Sequence, residues 1–406
     1  MQSVVAPDFL PAEEARRARD IVRNCVHCGM CLAACPTYIL DRDERDSPRG
    51  RIYLINEMLR DGAPSAVALR HLDRCLTCRA CETACPSGVR YGELADIGRA
   101  AAEPARTKSS QIRRGIAAAI FGNPKLMRAA GGAAAAAKPL LFPGGLRRHF
   151  RRRRFPRMRP HERKVIMLSG CAEGAFSPQT HAALSDVLDA AKIGLWNSPA
   201  AGCCGALRFH LNQQEKAKTE MRRNVAAWAP LLKSGEAEAV VMTASGCHQM
   251  VAKYGDLLDS PDARLVAERT INAAQLAERE WEKIAPRLRP KIADAAVAYH
   301  SPCTMQHAPP PGCGRAEDLL AAAGYSVSAP EESAVCCGSA GIYSILQPSR
   351  SRRLRARKLR NLAAIGGRIA TANIGCQLFL SAGGGRPALH WLELLAEAMR
   401  PRTSAR

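Results

Sequence analysis

Eight cysteines in two short segments carry the clearest chemical signal in this chain. The segments CVHCGMCLAACP (Cys25 to Pro36) and CLTCRACETACP (Cys75 to Pro86) share the pattern C-x2-C-x2-C-x3-C-P. Three thiolates at this spacing fold around one face of a cuboidal iron–sulfur cluster, each reaching a different iron, and the fourth cysteine turns away to ligate a second cluster. The pattern assigns Cys25, Cys28, Cys31 and Cys85 to one 4Fe–4S cluster, and Cys75, Cys78, Cys81 and Cys35 to another. Pro36 and Pro86 end the local turn and free the fourth cysteine of each run. A C-x2-C pair alone also builds zinc hairpins, but zinc seldom uses three such cysteines followed by Cys-Pro, still less twice in one domain. About forty residues lie between Cys35 and Cys75. Within them Ile52, Ile55, Met58 and Leu59 recur at helical spacing and Gly62 supplies a stop, which predicts a helix between the two cysteine runs.

Nine more cysteines follow from Cys171 onward, and most belong to an internal repeat. KVIMLSGC, ending at Cys171, matches AVAYHSPC, ending at Cys303. Cys203-Cys204-Gly205 matches Cys336-Cys337-Gly338, and AVVMTASGC, ending at Cys247, matches RIATANIGC, ending at Cys376. Four landmarks recurring in order at a displacement of about 130 residues mark a duplicated unit. In each half an apolar, strand-like run ends at a cysteine, a helical stretch follows, then CCG, a charged helix and a second strand-like run ending at a cysteine. Alternation of this kind predicts α/β halves with mainly parallel sheets. Cysteines at strand ends fall where such sheets place their ligands. Each half could therefore hold a metal or cluster, on Cys171, Cys203, Cys204 and Cys247 in the first and on Cys303, Cys336, Cys337 and Cys376 in the second. The plain alternative is a set of buried free thiols. Cys313 lies outside the repeat. His210, His248, His300 and His307 stand near these cysteines as further ligands or proton carriers, or as ordinary structural histidines.

The expected organisation is a helical two-cluster ferredoxin domain over 1–105, a basic Arg/Ala-rich linker over 106–163, and two α/β CCG domains over 164–290 and 291–406. The fold class is thus α followed by α/β. The linker carries Arg147 to Lys164, with ten Arg or Lys against one Glu, in a chain whose net charge is +22. A charge run is usually a solvated face. It could also dock on anionic lipid, where each basic residue contributes about 1 kcal/mol; charge alone also suits nucleic acid, which nothing else in the sequence favours. The start, MQSVVAPDFLPAEEARRARD, lacks a basic-then-apolar leader, so a reducing, cytoplasmic location is expected. No G-x-G-x-x-G turn follows a strand, so no flavin or nicotinamide site is expected on this chain.

The first block resembles the helical ferredoxin modules of quinone-linked dehydrogenases, and the halves resemble the CCG domains of the heterodisulfide reductase family. In members of that family with a non-cubane cluster, the last cysteine belongs to a C-x2-C pair; here Met250 and Phe379 stand in the second position. The stretches CVHCGMCLAACPTY, DSPRGRIYLINEM, CLTCRACETACPSGVRYGEL, AGCCGALRFH, HSPCTMQH, CCGSAGIYSI and NIGCQLFL together resemble the iron–sulfur subunit family of bacterial glycolate oxidase. Lactate-utilisation and anaerobic glycerol-3-phosphate dehydrogenase proteins share the motif order. The resemblance implies an electron-transfer subunit with no catalytic residue of its own, which takes electrons from FAD-binding partners that oxidise glycolate to glyoxylate and passes them to a membrane quinone. It would lie peripherally on the inner face of the membrane. A thiol/disulfide reductase is the rival implied by the CCG resemblance.

Overall fold

The protein is described from a computed structural model over residues 4–136, 144–147, 149, 160–289, 292, 295–307 and 314–399. Cys313 and most of the basic stretch, including Arg151 to Arg154, lie outside the described residues, so the lipid-docking expectation has no structural account. Among the described residues no helix is long and apolar enough to cross a membrane.

The N-terminal block is helical. Four helices, Ala12–Arg23, Pro48–Asp61, Ala66–Asp73 and Tyr91–Ala102, pack around Ile21, Ile55, Leu59, Leu72 and Leu94. The helix expected between the cysteine runs is Pro48–Asp61. Its start is set by Ser47, whose hydroxyl accepts a hydrogen bond from Gly50 N at 2.9 Å, and by Pro48 in the first turn, where a missing N–H costs nothing. Gly50 is required by close approach: a Cβ there would stand 1.9 Å from the Glu44 carbonyl oxygen. Gly62 ends the helix in the left-handed conformation, as its place in the sequence predicts.

The remainder is two four-stranded parallel sheets of the same design. In the first, β1 (Arg163–Met167), β2 (Ile193–Asn197), β3 (Val240–Met242) and β4 (Thr270–Asn272) run in the order β2-β1-β3-β4. In the second, β5 (Ala296–His300), β6 (Ser326–Ser328), β7 (Arg368–Thr371) and β8 (Ala388–His390) run in the order β6-β5-β7-β8. The halves share one apolar core. Helix Pro178–Ala190 of the first and helix Trp391–Met399 of the second bring Leu184, Val187 and Leu188 together with Trp391, Leu392 and Leu395. Each such buried side chain contributes roughly 1.5–3 kcal/mol, so the halves form one apolar body rather than two beads on a string.

The cysteine-free segment before β1 reads in sequence as a linker with some amphipathic helix, as in QIRRGIAAAIFGNPKLMRAA over 111–130. It forms helices Lys108–Phe121 and Pro124–Ala136. Ala117 and Ala118 pack against Leu211 of the first half and Ile342 of the second. The Ala/Gly run lets its helix come close to the next turn: a Cβ on Gly131 would lie 2.7 Å from the Ala175 carbonyl oxygen.

At the rim of the first sheet, Arg163 binds Glu238 and Glu280 at 2.6 Å each, and Lys283 binds Glu280 at 2.7 Å. These partners, Arg163 first, hold the Glu280 carboxyl down at about 2. A depressed carboxyl stabilises the fold above its unfolded value, and that contribution is lost as pH falls through about 2. Glu280→Gln is expected to cost about 1–2 kcal/mol at pH 7, the figure discounted for the partly exposed Arg163. Urea midpoints of wild type and variant should converge as pH falls below about 4.5; an equal gap at pH 7 and pH 3 would remove the ion pair as its source.

Candidate iron–sulfur site

The two N-terminal cysteine runs adopt the same local backbone. His27 and Thr77, each third in its run, have φ of 56° and 53°, and Gly29 and Arg79 follow at 86° and 62°. A β-branched residue such as Thr77 adopts positive φ only under constraint. Here the reversal turns the Thr77 N–H toward Cys75 Sγ at 3.4 Å. A backbone donor aimed at a cysteine sulfur is the kind of contact that tunes a thiolate-bound cluster.

Two hollows lie between the runs. The first, about 420 Å³, is lined by Cys25, Cys28, Cys31 and Cys85, with Cys81 and Tyr91 at its margin. The second, about 300 Å³, is lined by Cys35, Cys75, Cys78 and Cys81, again with Tyr91. Each of these eight cysteines is an unpaired thiol. The metal-ligating donors lining both hollows are thus dominated by soft sulfur, which suits iron–sulfur clusters and would not suit magnesium or calcium. Cys81, Tyr91 and Pro48 belong to both linings, so the hollows are neighbours separated by a side-chain wall.

Their electrostatics differ. Burial pushes the Cys31 thiol up to about 11. Burial also raises Cys75, yet the nearby Arg51 and Arg99 guanidinium groups outweigh it and bring that thiol below its usual value. Arg51 is itself buried and reaches the His71 carbonyl at 2.7 Å, while Arg99 donates to the Cys75 carbonyl at 2.9 Å. Between the runs lies Asp46, fully buried, facing His71 Nδ1 at 2.8 Å, Arg74 at 3.1 Å and Arg51 at 3.4 Å. Asp43, Asp46 and His71 are close enough to suggest a cation site, but the guanidinium groups already satisfy Asp46.

Each α/β half gathers its four landmark cysteines from the segments that follow three of its strands, the two central ones and the edge strand that precedes CCG. In the first, sulfur contacts run Cys171–Cys203–Cys204–Cys247. Donors from Cys171 and Cys204 hold Cys203 well below the ordinary thiol range, with the Gly205 N–H and Arg208 adding to the effect. In the second, contacts run Cys303–Cys336–Cys337–Cys376, the last pair at 3.4 Å; hydrogen bonds from neighbouring thiols pull Cys336, Cys337 and Cys376 down, but burial and repulsion among the sulfurs outweigh them and leave all four thiols above the ordinary range. The glycine of each CCG is needed for its conformation, with φ of 84° at Gly205 and 92° at Gly338. Met250 is packed in the core and Phe379 lies under the Arg355 guanidinium. Of the candidate histidines, His210 pairs with Asp96 at 3.7 Å and His307 meets Thr83 at 3.1 Å, so both join a half to the helical block. His248 and His300 are buried within their halves.

The second hollow abuts the second half. Cys78 and Leu76 pack with Cys303, Cys336, Val335 and Tyr343, and Tyr343 donates to the Arg74 carbonyl at 3.1 Å. Arg350 and Arg353 grip Asp41 at 2.6 and 2.5 Å. The first half touches the helical block elsewhere, where Asn212 binds the Arg99 carbonyl at 3.2 Å and Glu103 at 2.7 Å.

A 4Fe-4S dicluster domain model matches residues 24–89, and a cysteine-rich domain model matches residues 165–252 and 297–381. The glycolate oxidase iron-sulfur subunit of Escherichia coli (strain K12) is 40% identical over 415 residues, covering 98% of this chain and 99% of the relative. The probable glycolate oxidase iron-sulfur subunit of Bacillus subtilis (strain 168) is 30% identical over 429 residues, covering 94% and 95%. The chain belongs to the glycolate oxidase iron–sulfur subunit family. It is a component of an oxidoreductase complex, an iron–sulfur protein with a helical two-cluster domain followed by two cysteine-rich domains.

The matched dicluster domain calls for two 4Fe–4S clusters, and the hollows differ in charge: the buried Arg51 and Arg99 stand beside Cys75 at the second, while the first has the part-exposed Arg49. A cation beside a cluster favours its reduced, more negative state. The cluster of the second hollow should therefore titrate at the higher potential. Arg99→Met should lower it by on the order of 50 mV and leave the other in place, as read by redox-titrated electron paramagnetic resonance (EPR). An unchanged midpoint in the variant would remove Arg99 as the cause.

Proposed function

We propose that this chain carries electrons from flavin-bearing partner subunits, where glycolate is oxidised to glyoxylate, toward a membrane quinone, and holds no substrate-oxidising residue itself. The clusters, when bound, supply one-electron relay. The carrying observation is the pair of adjacent cysteine-walled hollows, one with an exposed cysteine at its mouth and the other set against the second half. Cys28 is exposed at the first, and beside it Val26 and Met30 are 68% and 61% exposed. An apolar rim around an exposed ligand suits a partner that must approach closely. The second hollow has Cys303 and Cys336 behind Cys78, which suits continued passage into the body of the chain. Met250 and Phe379, one packed in the core and the other stacked under Arg355, in place of a further thiol in each half, favour relay over thiol/disulfide chemistry.

The ligand sets belong to the same reading: Cys25, Cys28, Cys31 and Cys85 hold one cluster, and Cys75, Cys78, Cys81 and Cys35 hold the other. In Cys85→Ser the damage should fall on the cluster built from the first cysteine run, and in Cys35→Ser on that built from the second. Iron counts and EPR of the two variants distinguish this from uncrossed binding, in which each substitution would damage the cluster of its own run.

The function is tested on the complex purified anaerobically with its partners. Glycolate should reduce the clusters, and Val26→Asp with Met30→Asp should weaken both partner binding and reduction while leaving the iron content unchanged. Reduction by D-lactate or glycerol-3-phosphate but not by glycolate would overturn the assignment of substrate.

A further inference from the structure

The two halves share a plan but differ at one buried position beside the cysteines. Where β1 leads to Cys171, the residue three before it is Leu168; where β5 leads to Cys303, the matching residue is His300. Leu168 is an ordinary core residue of the first half. His300 is 1% exposed, and neither Nδ1 nor Nε2 has a hydrogen-bond partner. An imidazole desolvated without partners is costly, and buried polar groups are almost always satisfied. Something that accepts coordination from a ring nitrogen would remove the conflict.

The neighbours are suited to that. One ligand atom each from His300, Cys337 and Cys376 lies within 4.8 Å of the other two, and the two sulfurs are 3.4 Å apart. In a tetrahedral centre with metal–sulfur bonds near 2.3 Å and metal–nitrogen bonds near 2.0 Å, adjacent ligand atoms stand about 3.5–3.8 Å apart. The sulfur pair is close to that spacing, and the ring nitrogen lies within 4.8 Å of both sulfurs. Thiolates bound to separate irons of a cuboidal cluster would stand much farther apart. Charge also fits. Lys358, buried, is anchored to the Glu332 carbonyl at 2.6 Å and lies beside Cys336, Cys337 and Cys376, so it offsets the excess negative charge of three thiolates on a divalent ion. In the first half the corresponding helix presents a neutral amide to the CCG turn, Asn224 donating to the Cys203 carbonyl at 2.8 Å.

We propose that the second half holds a single tetrahedral divalent ion of the zinc class on His300, Cys337 and Cys376, with a fourth thiolate from the adjoining Cys303–Cys336 pair, and that the first half has no equivalent. The ion would sit behind the wall of the second cluster hollow and pin the CCG turn that faces Cys78. It is a structural centre, closed to substrate, and does not depend on which substrate the complex oxidises.

The test is metal analysis of the full chain, purified anaerobically with its clusters intact. The expected result is about one zinc per chain beside the cluster iron, with zinc-edge absorption showing both sulfur near 2.3 Å and nitrogen near 2.0 Å. His300→Leu, which copies the first half, should lower zinc retention at least tenfold against a competing chelator while the cluster iron and visible spectrum persist. His300→Cys, which keeps a ligand and guards against simple misfolding, should retain zinc with an added sulfur neighbour. Wild-type chain that holds no metal besides iron overturns the proposal, as does His300→Leu with undiminished zinc. Iron above the two N-terminal clusters that is lost in Cys376→Ser would also overturn it, by placing a cluster where the ion is assigned.

Discussion

A single carboxylate, Asp46, ties together the parts that must be positioned around the clusters. It is fully buried, and a buried charge is tolerated only with close partners of opposite sign. Arg51 comes from the helix between the cysteine runs, His71 and Arg74 from the approach to the second run, and Arg350 from the second α/β half at 3.6 Å. Its own carbonyl accepts Thr37 Oγ1 at 2.8 Å, just after Cys35. The fourth cysteine of the first run, the start of the second run and the neighbouring domain thus converge on one residue. Removing one member of such a set typically costs 3–5 kcal/mol because the others stay buried.

This convergence accounts for the asymmetry of the molecule. The two α/β halves have the same sheet order and the same row of four cysteines at their strand ends, yet only the second stands behind the inner hollow. The first grips the helical block through Asn212 and His210, away from Cys78. Duplication supplied two similar scaffolds, and docking gave them different surroundings. The chemistry of the cysteines follows: Cys203 is held low in the first half by donors from its neighbours, while in the second burial and repulsion among the sulfurs outweigh such donors and push all four thiols up.

Much of this was legible in the sequence because the signals were periodic or repeated. The eight N-terminal cysteines announce themselves by spacing, and the helix at Pro48–Asp61 by apolar period, cap and stop. The four recurring landmarks located both strand-end cysteine rows. What pattern alone could not supply was contact across domains. Nothing near Asp46 marks it as a hub, since its partners are distant in sequence, and nothing in Leu76 or Cys78 says which half they touch. The reversed backbone at Thr77 is invisible because a β-branched residue disfavours positive φ, and a single His27 is too weak a signal by itself. His300 had a signal, the substitution of an imidazole for Leu168 in otherwise matching strands, but a lone histidine near cysteines is weak without the burial and orphaned nitrogens that only the structure provides. The segment after residue 106 carries a helical signal over 111–130, but its close packing against both halves depends on small side chains, and Ala and Gly carry little pattern that would announce it.

The central claim is that the crossed cysteine runs hold two clusters as close neighbours sharing one wall. EPR of the full chain, reduced stepwise under anaerobic conditions, tests it most directly. Reduction of the first cluster should give a simple signal, and reduction of the second should broaden and split it through spin–spin interaction between the two. Two signals that simply add, or reduction that stops at one cluster with the second run carrying a different metal, would contradict the account.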